Sequence, residues 1–283
     1  MSITLLFNRA YGEITNGDFR VFFGNWSPFL IWKYVFFGNL LFFSMAKHYR
    51  KNVFFLLAGL IGLFAAGIKS IRLQFFGKIW YRSKVPTNTI ALTFDDGPDP
   101  QLTGDILSIL KKHAIKVTFF VIGNKAAKNP HLVKQCYDEG HTIACHDLTH
   151  SLLSNFRTTK PLIQDIHKTQ GIIKNIIGKK PLLYRPPVGL TNPHTHKALQ
   201  YLHMYCIGWS KSVKDRGNRR LSKIEQIYRL ASPGKVILLH DALPWISYKQ
   251  QILDQIDRLC LQVKKRQIEP VTVDVFFSLR PYE

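Results

Sequence analysis

The chain has 283 residues, room for one large domain or one domain with an appendage, and 46% of them are hydrophobic. Its net charge of +21 calls for an anionic partner or surface, but no nucleic-acid reading module accompanies the charge, which argues against a nucleic-acid binder. The four cysteines, Cys136, Cys145, Cys206 and Cys260, are too widely spaced for a metal framework and too few for a disulfide scaffold, so buried free thiols are expected for all but Cys145, which adjoins the candidate site residue His146.

After an N-terminal segment of residues 1–28, the sequence is crowded with Phe, Leu, Ile and Trp and nearly lacks acids. Eleven of the 39 Lys and Arg, but only two of the 18 acidic residues, fall within residues 1–88. Phe29 to Ala46 is an apolar stretch interrupted by Lys33 and Asn39, and Val53 to Ile68 is a cleaner one. A bilayer span needs about 20 apolar residues. Both runs reach that length only with Tyr49, Arg50, Lys69 and Ile71 at the interfaces, the cations snorkelling. The basic loop Lys47-His48-Tyr49-Arg50-Lys51-Asn52 joins them, predicting a membrane helical hairpin over residues 29–72. Core helices or a hairpin lying in the interface are the competing readings. The bases Lys69, Arg72, Lys78, Arg82 and Lys84 crowd the far flank, so charge counting does not choose a membrane face. A signal peptide fits poorly, because the apolar run begins late and no small-residue cleavage site clearly follows.

From Pro86 the pattern changes to strands alternating with helices, and a catalytic domain is expected over residues 85–283. Ile90, Leu92 and Phe94 alternate with Thr89, Ala91 and Thr93, predicting a strand that ends at Asp95. Asp99-Pro100 supplies an N-cap and a first-turn proline for a helix carrying Leu102, Ile106, Ile109 and Leu110. Residues 117–122 read as a buried strand, 131–139 as a helix and 142–145 as a short strand. Ile163, Ile166, Ile173 and Ile177 mark a helix running to Gly178. Further strands are expected at 182–184, 204–207 and 236–239, a helix near 252–263, and a last strand around 271–273. Repeated β-then-α units indicate an α/β fold with a parallel sheet. Asp95-Asp96, His146, Arg185 and His240 each follow a predicted strand directly. In a parallel barrel such positions share the C-terminal rim and face one pocket.

In Thr93-Phe94-Asp95-Asp96-Gly97-Pro98, two adjacent carboxylates stand at a strand end before a forced turn. One can bind a metal while the other stays free as a base; a solvated turn is the bland alternative. His146-Asp147-Leu148-Thr149-His150 sets two imidazoles four apart, a spacing that places both on one face of a helical turn. With one Asp they make a two-His, one-carboxylate set with open positions, suited to zinc and also to iron, cobalt or nickel. Arg185 before Pro186-Pro187 either orients a carboxylate or makes a structural salt bridge. His240, in Leu238-Leu239-His240-Asp241, ends a late strand. His48, His113 and His167 fall in the basic loop or in amphipathic helices; His194 and His196 have the reach to meet the rim, but a helix-start surface is the favoured reading.

Taken in order, these motifs resemble the NodB-like polysaccharide deacetylases of carbohydrate esterase family four, over roughly residues 89–273. The resemblance implies a distorted (β/α) barrel, usually of fewer than eight units, here preceded by two hydrophobic membrane helices. It also implies metal-dependent removal of acetyl groups from N-acetylated sugars in chitin, peptidoglycan or related glycans. By position, Asp95 is the implied general base, and Asp96, His146 and His150 the ligands of a divalent metal, zinc foremost. Arg185 orients Asp95, and His240 is the general acid tuned by Asp215. Trp209 and Leu238 line the acetyl pocket, and Pro187 and Val188 lie at the substrate, with the Val188 backbone N–H in the oxyanion hole. Asp147, Val188 and Arg216 depart from the family's usual Ser or Thr, Tyr and aromatic residue. The expected partners are an N-acetylated glycan and a membrane, the bacterial cytoplasmic membrane. The rival readings are a deacetylase or deformylase of a lipid-linked (undecaprenyl-phosphate) amino sugar, and a non-catalytic glycan-binding protein. The intact ligand set and Asp95 argue against the latter.

Overall fold

The computed structural model describes residues 37–38, 49, 51–63, 66–67, 73–151 and 157–283. The chain divides into two units, Met1–Leu63 and Phe64–Glu283. In the first, residues 51–63 are helical, and Phe54, Phe55, Leu56, Leu60 and Ile61 are exposed. Among the described residues no helix is long and apolar enough to cross a membrane. Apart from residues 37–38, 49 and 66–67, the rest of the hairpin expected at 29–72, including nearly all of its first helix, lies outside the described residues.

The second unit alternates strands and helices: β1 (Thr89–Asp95), α1 (Thr103–Lys112), β2 (Thr118–Val121), α2 (Gly123–Lys128), α3 (Pro130–Asp138), β3 (Thr142–Cys145), α4 (Thr159–Ile177), β4 (Leu183–Tyr184), α5 (Pro193–Tyr201), β5 (Tyr205–Cys206), α6 (Leu221–Ile224), β6 (Val236–His240), α7 (Lys249–Lys265), β7 (Glu269–Val271) and α8 (Val273–Phe277). The strands form one sheet in the order β5-β4-β3-β2-β1-β6, with β7 paired to the start of β1, and every pairing is parallel. The sheet curls until Lys211, just after β5, bridges Ile237 of β6. Residues ahead of position 85 belong to this unit too, because Trp80 bridges Ile207 and Arg82 bridges Lys235.

Side-chain alternation along the strands sorts the residues into two layers. Ile90, Leu92, Phe94, Phe119, Val121, Ile143, Ile237 and Leu239 join the core that includes the helix residues. Ala91, Phe120, Ala144, Leu183, Ile207 and Val236 form the second, inner cluster. Stepping by two from the inner residues reaches Asp95, His146, Arg185, Trp209 and His240, so the strand period itself aims these side chains inward at the C-terminal rim. Each fully buried Leu, Ile or Phe contributes about 1.5–3 kcal/mol. A one-residue slip of β1 would forfeit several such terms and turn Asp95 out of the interior.

Two local expectations change. Helix α1 starts at Thr103 with Leu102 at its N-cap. Asp99 instead organises the preceding turn, its Oδ1 accepting from Gln101 N–H (2.9 Å) and its Oδ2 from Leu243 N–H (3.0 Å). The last strand lies at Glu269–Val271 rather than 271–273, since the Val273 N–H bonds Thr118 Oγ1 (2.9 Å) as α8 begins. Helix α5 has a clear start signal, the Asn192 side chain accepting from Thr195 N–H (2.9 Å) ahead of Pro193.

Candidate active site

At the end of β1 the backbone turns left-handed at Asp96 (φ 74), pointing its carboxylate toward two imidazoles. Asp96 Oδ1 lies 3.4 Å from His146 Nε2 and 3.2 Å from His150 Nε2. The histidines meet through a loop and not through the expected helical turn: Asp147 (φ 69) and His150 (φ 55) are left-handed, and the rings sit 4.9 Å apart. His146 Nδ1 is 2.8 Å from the Arg185 carbonyl, which only accepts, so Nδ1 carries the proton and Nε2 offers its lone pair. Asp96 Oδ1 is buried with no hydrogen-bond partner of good geometry. The three ligand atoms lie within 4.8 Å of one another. An orphaned carboxylate oxygen facing two imidazole nitrogens is a donor set that fits a divalent metal. Burial alone would raise the Asp96 carboxyl, but the imidazoles of His146, His240 and His150 hold it well below the usual carboxylate range.

Asp95 is fixed by a wholly buried arginine. Arg185 Nη1 donates to Asp95 Oδ1 (2.5 Å) and Thr93 Oγ1 (2.8 Å), and Nη2 to the Gly208 carbonyl (3.0 Å). Its guanidinium stacks 3.9 Å from the Phe120 ring centroid. Burial lowers the Arg185 pKa while the Asp95 charge opposes this. One Asp95 oxygen is thus clamped, and the other, Oδ2, lies 3.7 Å from His146 Nε2 on the metal side.

On the neighbouring strand β6, paired with β1 at Asp95, His240 Nδ1 lies 3.1 Å from Asp215 Oδ2. Burial would lower the His240 pKa, but this bond and the charges of Asp215, Asp96 and Asp95 push it up to about 9. Asp215 is lowered in turn: its own burial is outweighed by His240 and by the Asn218 N–H. Pro187 and Val188 form a tight turn Pro187–Gly189 after β4, Pro187 buried and Val188 half exposed with φ 50. Gly189 (φ 70) has no room for a Cβ, because the Trp209 ring occupies that space. Leu238 is buried two residues before His240. All eleven residues singled out from the sequence therefore sit at or just below one rim.

Other contributors were not evident. Thr93 supports Arg185, and Asn218 Nδ2 donates to the His240 and Ala242 carbonyls (2.9 and 3.0 Å). Asp241 accepts from Thr103 Oγ1 (2.8 Å) and packs against Gly97, and burial pushes its carboxyl up to about 7. Its place beside His240 was the available signal. His196 is not a surface residue: it is buried against Gly77. Cys136, Cys206 and Cys260 are free and buried as expected, and Cys145, set apart for its place beside His146, is free and buried as well.

Residues 82–207 match the family model described as polysaccharide deacetylase. Over 195 residues the chain is 34% identical to a peptidoglycan-N-acetylglucosamine deacetylase of Bacillus cereus, covering 67% of this chain and 89% of that relative. It is 32% identical over 197 residues to the peptidoglycan-N-acetylglucosamine deacetylase PgdA of Listeria monocytogenes, covering 69% of this chain and 40% of that protein's length. A crystal structure of a peptidoglycan N-acetylglucosamine deacetylase is similar with a TM-score of 0.65 at 29% identity, over 72% of this chain and 95% of that one. Trp209, Asp215, Leu238 and His240 lie beyond the family-model match.

Proposed function

The chain belongs to the polysaccharide deacetylase family, and from that premise we propose that it hydrolyses the N-acetyl group of an amino sugar in a cell-envelope glycan, with a divalent metal, zinc foremost, at Asp96, His146 and His150. The observation that carries this reading is the single focus formed by those ligand atoms and the unclamped oxygen of Asp95. The metal supplies Lewis-acid polarisation of the amide carbonyl and of a water. Asp95, oriented through Arg185, takes a proton from the attacking water. The turn at Pro187–Gly189 offers the Val188 backbone N–H to the oxygen on which negative charge develops. His240, cationic at neutral pH beside Asp215, protonates the nitrogen as the C–N bond breaks, giving acetate and a free amine. Trp209 and Leu238 wall the acetyl group.

Mass spectrometry of peptidoglycan fragments and N-acetylglucosamine oligomers incubated with the metal-loaded chain tests the reading. Loss of acetyl groups is expected; fragments that keep every acetyl group after prolonged incubation with metal-loaded protein would refute it.

The exposed apolar side chains of residues 51–63, flanked by bases on both sides, favour a second element: attachment to the bacterial cytoplasmic membrane. With that attachment, a lipid-linked amino sugar becomes the alternative substrate. Flotation with anionic vesicles tests the attachment, and recovery of the full-length chain only in the lipid-free fraction would count against it.

A further inference from the structure

The segment from Lys211 to Lys223, a loop that runs into α6, carries six basic residues, Lys211, Lys214, Arg216, Arg219, Arg220 and Lys223, against one acid, Asp215. That acid is already engaged by His240 and by the Asn218 N–H. Arg216, Arg219 and Arg220 are exposed, and the ion pairs found among the described residues involve none of them. The loop stands at the metal focus: a Cβ on Gly217 would lie 3.1 Å from Asp96 Oδ2. It is also held rigidly. Lys214, Arg216, Gly217 and Asn218 all adopt left-handed backbone (φ 58, 59, 68 and 61). Bonds from Asn218 to the end of β6 and from the Arg219 N–H to the Asp215 carbonyl (2.9 Å) hold that conformation. Strained backbone of this kind, over-determined by its surroundings, clusters where a ligand is gripped.

We propose that Arg216, Arg219 and Arg220 form an anion subsite beside the metal focus. It takes a phosphate or carboxylate borne by the sugar being deacetylated or by the sugar next to it. The inference rests on the deacetylase reading above and narrows its substrate to an anionic glycan. The physical case is one of charge. Six cations stand in this segment beside the metal focus, and the single acid among them is already engaged, so the segment attracts an anion carried at the edge of the substrate. The exposed guanidinium groups of this segment can pair with phosphate or carboxylate oxygens through two parallel N–H bonds. A neutral oligomer has no use for them.

The test is calorimetric titration of the zinc-loaded full chain with N-acetylglucosamine, N-acetylglucosamine 1-phosphate and N-acetylmuramic acid, in low and high salt. The charged sugars are expected to bind at least tenfold more tightly than the neutral one, with the advantage shrinking in high salt. A gain for the phosphate sugar alone points to a phosphate-linked carrier, and for the carboxylate sugar alone to a muramyl neighbour. In the triple variant Arg216→Gln, Arg219→Gln, Arg220→Gln the advantage should disappear, and the corresponding triple Lys variant should restore part of it. Equal binding of the three sugars overturns the subsite, as does no measurable binding of any, or an advantage that survives in the Gln variant because the metal holds the anion. Acetate release from the same sugars and from peptidoglycan fragments separates the two readings. Charge preference without acetate sinks only the deacetylase reading, and acetate without charge preference sinks only the subsite.

Discussion

Replacing Asp215 with Asn isolates the proton held on His240. The native imidazole is raised from 6.5 to about 9, with its own burial pulling the other way. Asn fills the same space but removes the charge, so the pKa returns to about 6.5 or below, a change of roughly 3 kcal/mol at 1.36 kcal/mol per pH unit. If protonated His240 is the acid, native enzyme at pH 8 keeps about nine-tenths of it active and the variant about 3%, a loss of roughly 30-fold. At pH 5.5 both forms are protonated and the two rates should converge. A metal cation lowers both values by a similar amount, so the displacement between them is the diagnostic. The assay is a pH profile of kcat/KM for both proteins. A loss equal at pH 5.5 and pH 8 would refute the idea that Asp215 acts through the His240 proton.

The same pair links stability to pH. Folded His240 binds its proton more tightly than the unfolded chain does, so its stabilisation is full below pH 6.5 and is lost as pH rises toward about 9. Thermal melts across that window should show a fall in Tm that Asp215→Asn lacks. Arg185→Met strands the Asp95 carboxylate in the interior and should cost about 3–5 kcal/mol in denaturant unfolding, part of which Asp95→Leu returns; an unchanged midpoint contradicts the buried pairing. His150→Ala removes one of three ligands, so zinc content after dialysis should drop sharply while far-ultraviolet dichroism stays native. Zinc retained at one equivalent would place the metal elsewhere. Gly189→Ala forces a Cβ into the Trp209 ring at φ 70; KM for the acetylated sugar should rise several-fold, and native kinetics would mean that Trp209 does not shape the pocket.

Much of the barrel was legible because a strand period of two leaves a strong imprint. Thr89 to Asp95 alternates cleanly, and the inner series through Ala144 and His146, Leu183 and Arg185, and Val236, Leu238 and His240 continues it. The polar residues after each strand were visible for the same reason. Less visible was whatever depends on irregular backbone. The His146–His150 loop is held by left-handed residues that no periodicity reveals, and Asp99 reads as a helix cap although a long-range bond from the Leu243 N–H and a local one from its own N–H to Thr103 Oγ1 use it in a turn. Asp241 and Asn218 act through contacts between distant segments, which spacing along the chain does not encode. Trp80 and Arg82 pair with strands more than a hundred residues away, so the catalytic unit begins earlier than its composition suggests.

Acetate release from N-acetylated glycan strands, measured with zinc content on the same samples, decides whether the chain is a metal-dependent deacetylase. Native full-length chain, chelator-treated chain, chain reloaded with zinc and Asp95→Asn would be compared. Acetate is expected from the native and reloaded samples only, with Asp95→Asn inactive while still holding zinc. Acetate from the zinc-loaded Asp95→Asn chain at the native rate, or none from the zinc-loaded native chain on any glycan, would contradict it.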